Sequence, residues 1–424
     1  MTTPGFPVNW VREQFPALHT GDNFIFFDNG AGAQIPQVVL HAVEHHLVRH
    51  NVQRGGRYGR SQAVDAVLQT ARQSVAEFLN ARDAREVAFG MNATSFIRLV
   101  SLAIGEGLDG RREIVVTDLD HEANIATWIA LQSRGANILW WKMRPDGTLH
   151  TDDLRPLLGD RTRLVACAVA SNALGSIVDV KEVARMAHAA GAEVFLDAVH
   201  YAPHGVTDVQ DWDCDYLVCS GYKIFAPHMG FLWGKLELLQ RLPTFREDFI
   251  PDAAPAKIEV GTYVYENVAG MDAAVGYLRE LGRRTAPDSR EVSPRAALVN
   301  SMEEIRRYER VMVGELLRRL AEIDNVTVYG IQDAKRLERR VPTVCFNVQG
   351  MAAAEVAEQC ARYGIGVRDG NMYSPRLLRR IGVSPEAGAV RVSLAHYNTV
   401  EEIEKFISAM QAIAAAARKR AASG

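Results

Sequence analysis

Cysteine is scarce in this 424-residue sequence: five residues, Cys167, Cys214, Cys219, Cys345 and Cys360, with no pair at metal-ligand spacing and no even framework for disulfides. A structural zinc site and a disulfide scaffold are therefore not expected, and the thiols read as reduced, mostly buried groups of a cytoplasmic protein. No stretch approaches the roughly 18 uninterrupted apolar residues of a membrane span. The opening MTTPGFPVNWVREQF lacks the basic-then-apolar order of a secretion signal. The formal net charge is only -3, which gives no reason to expect nucleic acid or a membrane surface as partner. There is no G-x-G-x-x-G after a strand and no His/Cys cluster at metal spacing, so neither a nicotinamide site nor a metal site is expected.

The sequence does contain the material of a large folded enzyme. With 48% hydrophobic and 23% charged residues it is ordinary for a globular chain, and its length suffices for two domains. Apolar runs at Val87, Glu113 to Thr117, Asn137 to Trp141, Arg163 to Ala170, Val194 to Leu196 and Tyr216 to Cys219 read as buried strands. They alternate with helical periodicities, among them Lys181 to Ala190, and this predicts an α/β fold with a mostly parallel sheet. Further on, Val268 to Leu281 is helical, and Ile305, Tyr308, Met312, Leu316 and Leu320 form a core-facing helical stripe. Arg283 to Arg295, with two prolines and many charges, is the linker candidate. The remainder reads as a smaller α+β domain: a strand at Thr343 to Val348, a helix from Ala353, a loop at Val367 to Pro375, a strand at Val390 to Leu394, a helix from Val400, and a tail after Ile413 expected to fray. The expected division is an N-terminal arm (1–20) packing on the small domain, a large domain (21–285) and the small C-terminal domain (286–424).

In an open α/β sheet the site lies beyond the strand ends. Asp197 stands at the end of one strand and Lys223 just beyond another, after the small residues Ser220 and Gly221. A carboxylate and an amine delivered to one edge is what pyridoxal 5′-phosphate chemistry requires, the amine for the aldehyde and the carboxylate for the pyridine nitrogen. The same edge receives His121. The stretch from Gly90 through Asn92, Thr94 and Ser95 opens a helix whose first amides suit either a phosphate or an ordinary cap.

Taken together, FFDNGA, FGMNATSFIRLV, DHEANIATW, SNALG, SGYKIFAPHMG and RVSLAHYNT resemble the motif order of the class V aminotransferases of fold type I, in the cysteine desulfurase-like branch, over nearly the whole chain. The resemblance implies a fold type I pyridoxal-phosphate-dependent transferase with a large mostly parallel domain and a smaller α+β domain. It implies Lys223 as the Schiff-base lysine, Asp197 as partner of the ring nitrogen and His121 as the residue stacked on the ring. Phosphate would be held by Thr94 with Asn92 and Ala93 amides and Ser220, and the ring oxygen approached by Asn172 and His200. Thr262 matches a residue that reaches the neighbouring subunit's phosphate, which implies a homodimer with shared sites. Arg391 would grip the α-carboxylate of an amino-acid substrate, with Asn29 and Tyr373 also counted as substrate contacts.

The departures bear on function. In cysteine desulfurases a mobile loop carries the attacking cysteine; here that loop reads VRDGNMYSPRLL, with Tyr373 at the aligned position, so a persulfide relay is not expected. Tyr222 and His228 flank Lys223 where the family usually has His and a small residue, and DAVH with Tyr222 locally resembles kynureninase. The expected reaction is β-elimination from a cysteine-like amino acid. Racemisation or epimerisation, as in isopenicillin N epimerase-like relatives, transamination, and a non-catalytic pyridoxal-phosphate fold remain the alternatives.

Overall fold

Seven short strands form the central sheet: β1 (Val87–Gly90), β2 (Glu113–Thr117), β3 (Asn137–Trp141), β4 (Thr162–Ala168), β5 (Glu193–Asp197), β6 (Tyr216–Ser220) and β7 (Gly230–Gly234); all but the edge strand β3, where only Trp141 is buried, are buried along almost their whole length. They belong to a computed structural model that describes residues 5–108, 110–286 and 292–423. The spatial order is β1-β7-β6-β5-β4-β2-β3, and β7 runs against both of its neighbours while the remaining pairs are parallel. Apolar side chains on both faces explain the runs such as EVFLD and YLVCS, because helices cover the sheet on each side. The α/β class expected from sequence is the one observed. Because β7 returns directly from β6 through residues 221–229, its antiparallel direction needs no crossover helix.

The helices that build the core and position the pocket are α1 (Gln37–Arg49), α2 (Gly59–Leu79), α3 (Ala93–Glu106), α4 (Ala123–Ile129), α5 (Val180–Ala189), α6 (Tyr265–Thr285), α7 (Pro294–Leu320), α8 (Ala353–Arg362) and α9 (Pro375–Arg380). A second sheet is wholly antiparallel, in the order Arg368–Gly370 (β10), Ala389–Ser393 (β11), Thr343–Val348 (β9), Val326–Tyr329 (β8). The stripe Ile305, Tyr308, Met312, Leu316 and Leu320 is buried along α7. The N-terminal stretch stitches distant parts together. Ile25–Phe26 pairs in parallel with Ile365–Gly366, and Asp28 bridges to Ser393. Arg12 donates to the Tyr397 carbonyl at 2.7 Å and to Glu402 at 2.8 Å, and Phe6 stacks on Tyr308 at 4.4 Å.

Two expectations need correction. Arg283, Arg284 and Thr285 continue α6 and Arg295 already belongs to α7, so the linker shrinks to the residues between them, of which 287–291 lie outside the described residues. Ser293 caps α7 through the Ala296 amide and Pro294 takes the first helical position, where a missing N–H costs nothing. The tail does not fray after Ile413 but continues the terminal helix, α10 (Val400–Ser423), because Ile413, Ala414 and Ala417 are buried on its inner face. Where α6 crosses α7, Gly282 meets the Ala297 carbonyl so closely that any Cβ would overlap it. Gly282→Ala should therefore destabilise the protein by about 1–3 kcal/mol, read as a lower thermal midpoint; an unchanged midpoint would show that the crossing has slack.

Candidate active site

Four strands and two helix starts deliver side chains to one pocket at the C-terminal sheet edge. It is lined by Ala93, Thr94, His121, Asn172, Asp197, His200, Ser220, Tyr222 and Lys223 among others, and holds about 470 Å³ of empty space including its mouth. Lys223 lies in the short turn Gly221–Lys223 after β6 and is 7% exposed, with no hydrogen bond to its Nζ among the described residues. Burial, reinforced by the Arg391 charge, lowers its amine to about 8. Asp197 ends β5 and accepts the Val199 amide at 2.9 Å; burial raises its carboxyl against that hydrogen bond and the Lys223 charge.

His121 follows β2 and enters α4. Its Nδ1 accepts the Ala123 amide at 3.1 Å, which leaves the proton of a neutral ring on Nε2. Burial, then Lys223 and Arg391, lowers it to about 4, so the ring is neutral at pH 7. His200 is buried and bonded to the Thr343 hydroxyl at 2.8 Å, and burial holds it well below the usual histidine range. At the start of α3, Asn92 is the cap, accepting the Ser95 amide at 2.9 Å, and the Ser220 hydroxyl lies 3.4 Å from the Ala93 amide. This turn rests on Gly230 of β7, where a Cβ would come within 2.6 Å of the Asn92 backbone, so only glycine lets strand and turn approach.

Arg391, on β11, donates to the Asn172 carbonyl at 2.9 Å and to Asp28 at 3.0 Å, while its Nε is buried without a partner among the described residues. Asp28 is shared with Arg368 at 2.6 Å. Gly30 lies against the Arg391 guanidinium, where a Cβ would sit 3.1 Å away. Asp28 is not among the residues expected at the site from sequence; the carboxylate directly before Asn29 in FFDNGA is the signal that points to it.

Other expected residues lie elsewhere or are engaged. The Asn29 amide is shared among the carbonyls of Phe26 and Ser393 and the Asn398 side chain, its oxygen accepts from Tyr397, and it lines a neighbouring cleft rather than the Lys223 pocket. Thr262 is exposed outside the pocket and accepts from Gln53 at 2.7 Å. Asn172 lines the pocket, but its amide donates to the Met372 carbonyl at 2.7 Å and its oxygen accepts from Ser374 at 3.0 Å. Tyr373 is 65% exposed, with its ring 5.4 Å from that of His121 and its carbonyl taking the Glu122 amide at 2.8 Å. Tyr222 and His228, unassigned from sequence, stack on each other at 5.2 Å beside Lys223.

The donor set fits pyridoxal 5′-phosphate on its own terms. A neutralisable buried amine suits an aldehyde, a buried carboxylate suits a protonated pyridine nitrogen, and a helix start with a serine hydroxyl suits a phosphate. A family model described as aminotransferase class-V matches residues 25–406. The chain is 34% identical to a probable cysteine desulfurase of Synechocystis, over 95% of this chain and 94% of the relative. It is 32% identical to an aminotransferase-like protein of Gibberella zeae, over 97% and 100%. Among solved structures it resembles the apo cysteine desulfurase of Thermococcus onnurineus, with a TM-score of 0.86 and 25% identity over 98% of this chain and 100% of that one.

Lys223 supplies a test that needs no substrate. Its amine ordinarily titrates at 10.5 and is lowered to about 8 by burial, so below 8 the fold carries the cost of a buried cation. As pH rises from about 8 to 10.5 the unfolded chain binds the extra proton and the cost disappears. Lys223→Met should therefore stabilise the cofactor-free protein at pH 7 by about 3 kcal/mol, with the gain shrinking above pH 8. Denaturant melts across that range check it, and a pH-independent gain would refute the burial account.

Proposed function

The chain belongs to the class V aminotransferase family, whose cofactor is pyridoxal 5′-phosphate, and from that premise we propose that it is a carbon–sulfur lyase acting on a cysteine-like amino acid without a persulfide relay. One observation carries the reading. The loop turn beside His121 presents the Tyr373 phenol, and all five cysteines are buried away from it, with burial raising every thiol above its ordinary range. No thiolate is available at the mouth to take sulfur from a substrate.

When bound, the cofactor supplies an electron sink for the bond broken at Cα. In this reading Lys223 would hold it, and its amine, lowered to about 8 and so near enough to neutrality to act as a base, would remove the Cα proton. Asp197 would pair with the ring nitrogen and favour its protonated form. His121, neutral, would pack against the ring without adding charge. Thr94, the Asn92–Ala93 turn and Ser220 would hold phosphate, and His200, fixed by Thr343, lies along the pocket wall with Asn172. Arg391 takes the substrate carboxylate through its unpartnered Nε and the donor capacity left beside Asp28. Tyr373 and Tyr222 stand at the mouth as hydroxyl donors for the departing sulfur.

The active unit in this proposal is a homodimer. A groove beside the phosphate turn, lined by Asn92, Leu102 and Val260, is flanked by Phe245, 97% exposed, and Phe249, 81% exposed, an apolar surface that a second copy would cover. Exposed Thr262 follows on the same segment.

With L-cysteine, the protein should release sulfide, pyruvate and ammonia in equal amounts, and Lys223→Ala should lower turnover by at least about a thousandfold. Alanine as product, with sulfane sulfur on a protein cysteine, would overturn the lyase reading in favour of a desulfurase. Inverted Cα without sulfide would move the chain to the racemases.

A further inference from the structure

We propose that Asp120 is a positioning residue: it ties the His121 turn to the splayed ends of two sheet strands, and the cofactor is held at full strength only while that tie is intact. The inference rests on the Lys223 pocket being the cofactor site.

Strands β2 and β4 pair from Glu113 to Val115 against Thr162 to Val165, and the ladder stops there. Beyond it the strands diverge, which opens the crevice but leaves the inner N–H of Ala168 without a strand partner. Ala168 lines the pocket and is in register with Asp197 on the next strand. A buried amide left unpaired is costly.

Asp120 fills that gap. It is 1% exposed, and its Oδ1 accepts both the Ala168 amide at 3.0 Å and the Thr117 hydroxyl at the end of β2 at 2.7 Å. Its Oδ2 accepts the Asn124 side-chain amide at 2.6 Å, and the Asn124 oxygen accepts the indole N–H of buried Trp128 at 3.0 Å. The chain therefore runs from the β4 end through Asp120 and Asn124 to the core under α4. His121 sits inside the loop so clamped: it follows Asp120 directly, and its own carbonyl takes the Asn124 amide at 2.9 Å. With the side chains of Asp120 and Asn124 both anchored, the backbone that carries the ring is held beside the pocket.

The polarity of the chain makes the claim separable from a charge effect. In Asp120→Asn, the introduced amide hydrogens face those of Asn124, and if Asn124 turns over, its amide instead faces the Trp128 N–H. One donor is stranded either way. Exchanging the two, Asp120→Asn with Asn124→Asp, satisfies every partner again while moving the carboxyl group away from the strand ends.

The test uses full-length protein loaded with pyridoxal 5′-phosphate, reading the cofactor dissociation constant and the visible circular dichroism of the bound cofactor, with thermal melts of the cofactor-free forms. Asp120→Asn should weaken cofactor binding roughly tenfold, the size of one lost buried hydrogen bond, and reduce the dichroic band. The exchanged pair should recover both to within about threefold of the parent. Unchanged binding in Asp120→Asn would overturn the proposal, as would an exchanged pair that folds but binds no better than the single variant. A Lys223→Ala protein that keeps the parent's visible band would instead overturn the pocket assignment itself.

Discussion

A buried amine without a hydrogen-bonding partner among the described residues is the constraint around which the pocket is arranged. Lys223 must be shielded from water to lose its proton near neutrality, yet it shares its low-dielectric surroundings with a second cation, Arg391, which is 3% exposed. Two buried cations are tolerable only if anions are supplied from elsewhere. Asp197 arrives on the adjacent strand, and Asp28 arrives from the N-terminal segment, more than 360 positions from the arginine it pairs with. The stitching of Ile25–Phe26 to Ile365–Gly366 and the bridge from Asp28 to Ser393 are thus part of the site's electrostatics as well as of its packing. Removing the N-terminal segment would strand Arg391 and Arg368 without their shared carboxylate.

How much was legible in the sequence depends on how local the cause is. Lys223, Asp197 and His121 could be placed because strand ends at one sheet edge are a local signal, a run of apolar residues stopped by polar ones. Asn92 at the start of α3 was equally visible, since capping involves residues three apart. The helix ends at Thr285 and Pro294 were misplaced because charge and proline composition resemble a linker, whereas burial against neighbouring helices decides the matter. Asn29 illustrates the opposite limit. Its motif looks like a site motif, but its hydrogen bonds go to Ser393, Tyr397 and Asn398, partners that no local pattern reveals. Asp120 was hidden for a related reason: next to a conspicuous histidine it reads as a turn residue, and only the divergence of two strands shows what its carboxylate does.

The loop carrying Tyr373 completes the physical picture. Met372 and Tyr373 both have φ in the left-handed region, +49° and +58°, a conformation that costs a bulky residue about 1–2 kcal/mol. Such strain persists only where neighbours over-determine it. Here Asn172 holds the Met372 carbonyl and receives the Ser374 hydroxyl, the Glu122 amide holds the Tyr373 carbonyl, and Asn371 receives the Tyr373 amide. A loop that must swing to carry sulfur outward gains nothing from being clamped at three points to Asn172 and Glu122 and at a fourth within itself. A loop whose task is to hold a hydroxyl at the mouth, beside a neutral imidazole and above a partly deprotonated amine, gains a fixed geometry from the same contacts. Asn172 joins the two halves of that arrangement, because its backbone carbonyl orients Arg391 and its side-chain amide fixes the loop. In the proposed reading, the substrate carboxylate and the leaving group would both be positioned through contacts of this one residue.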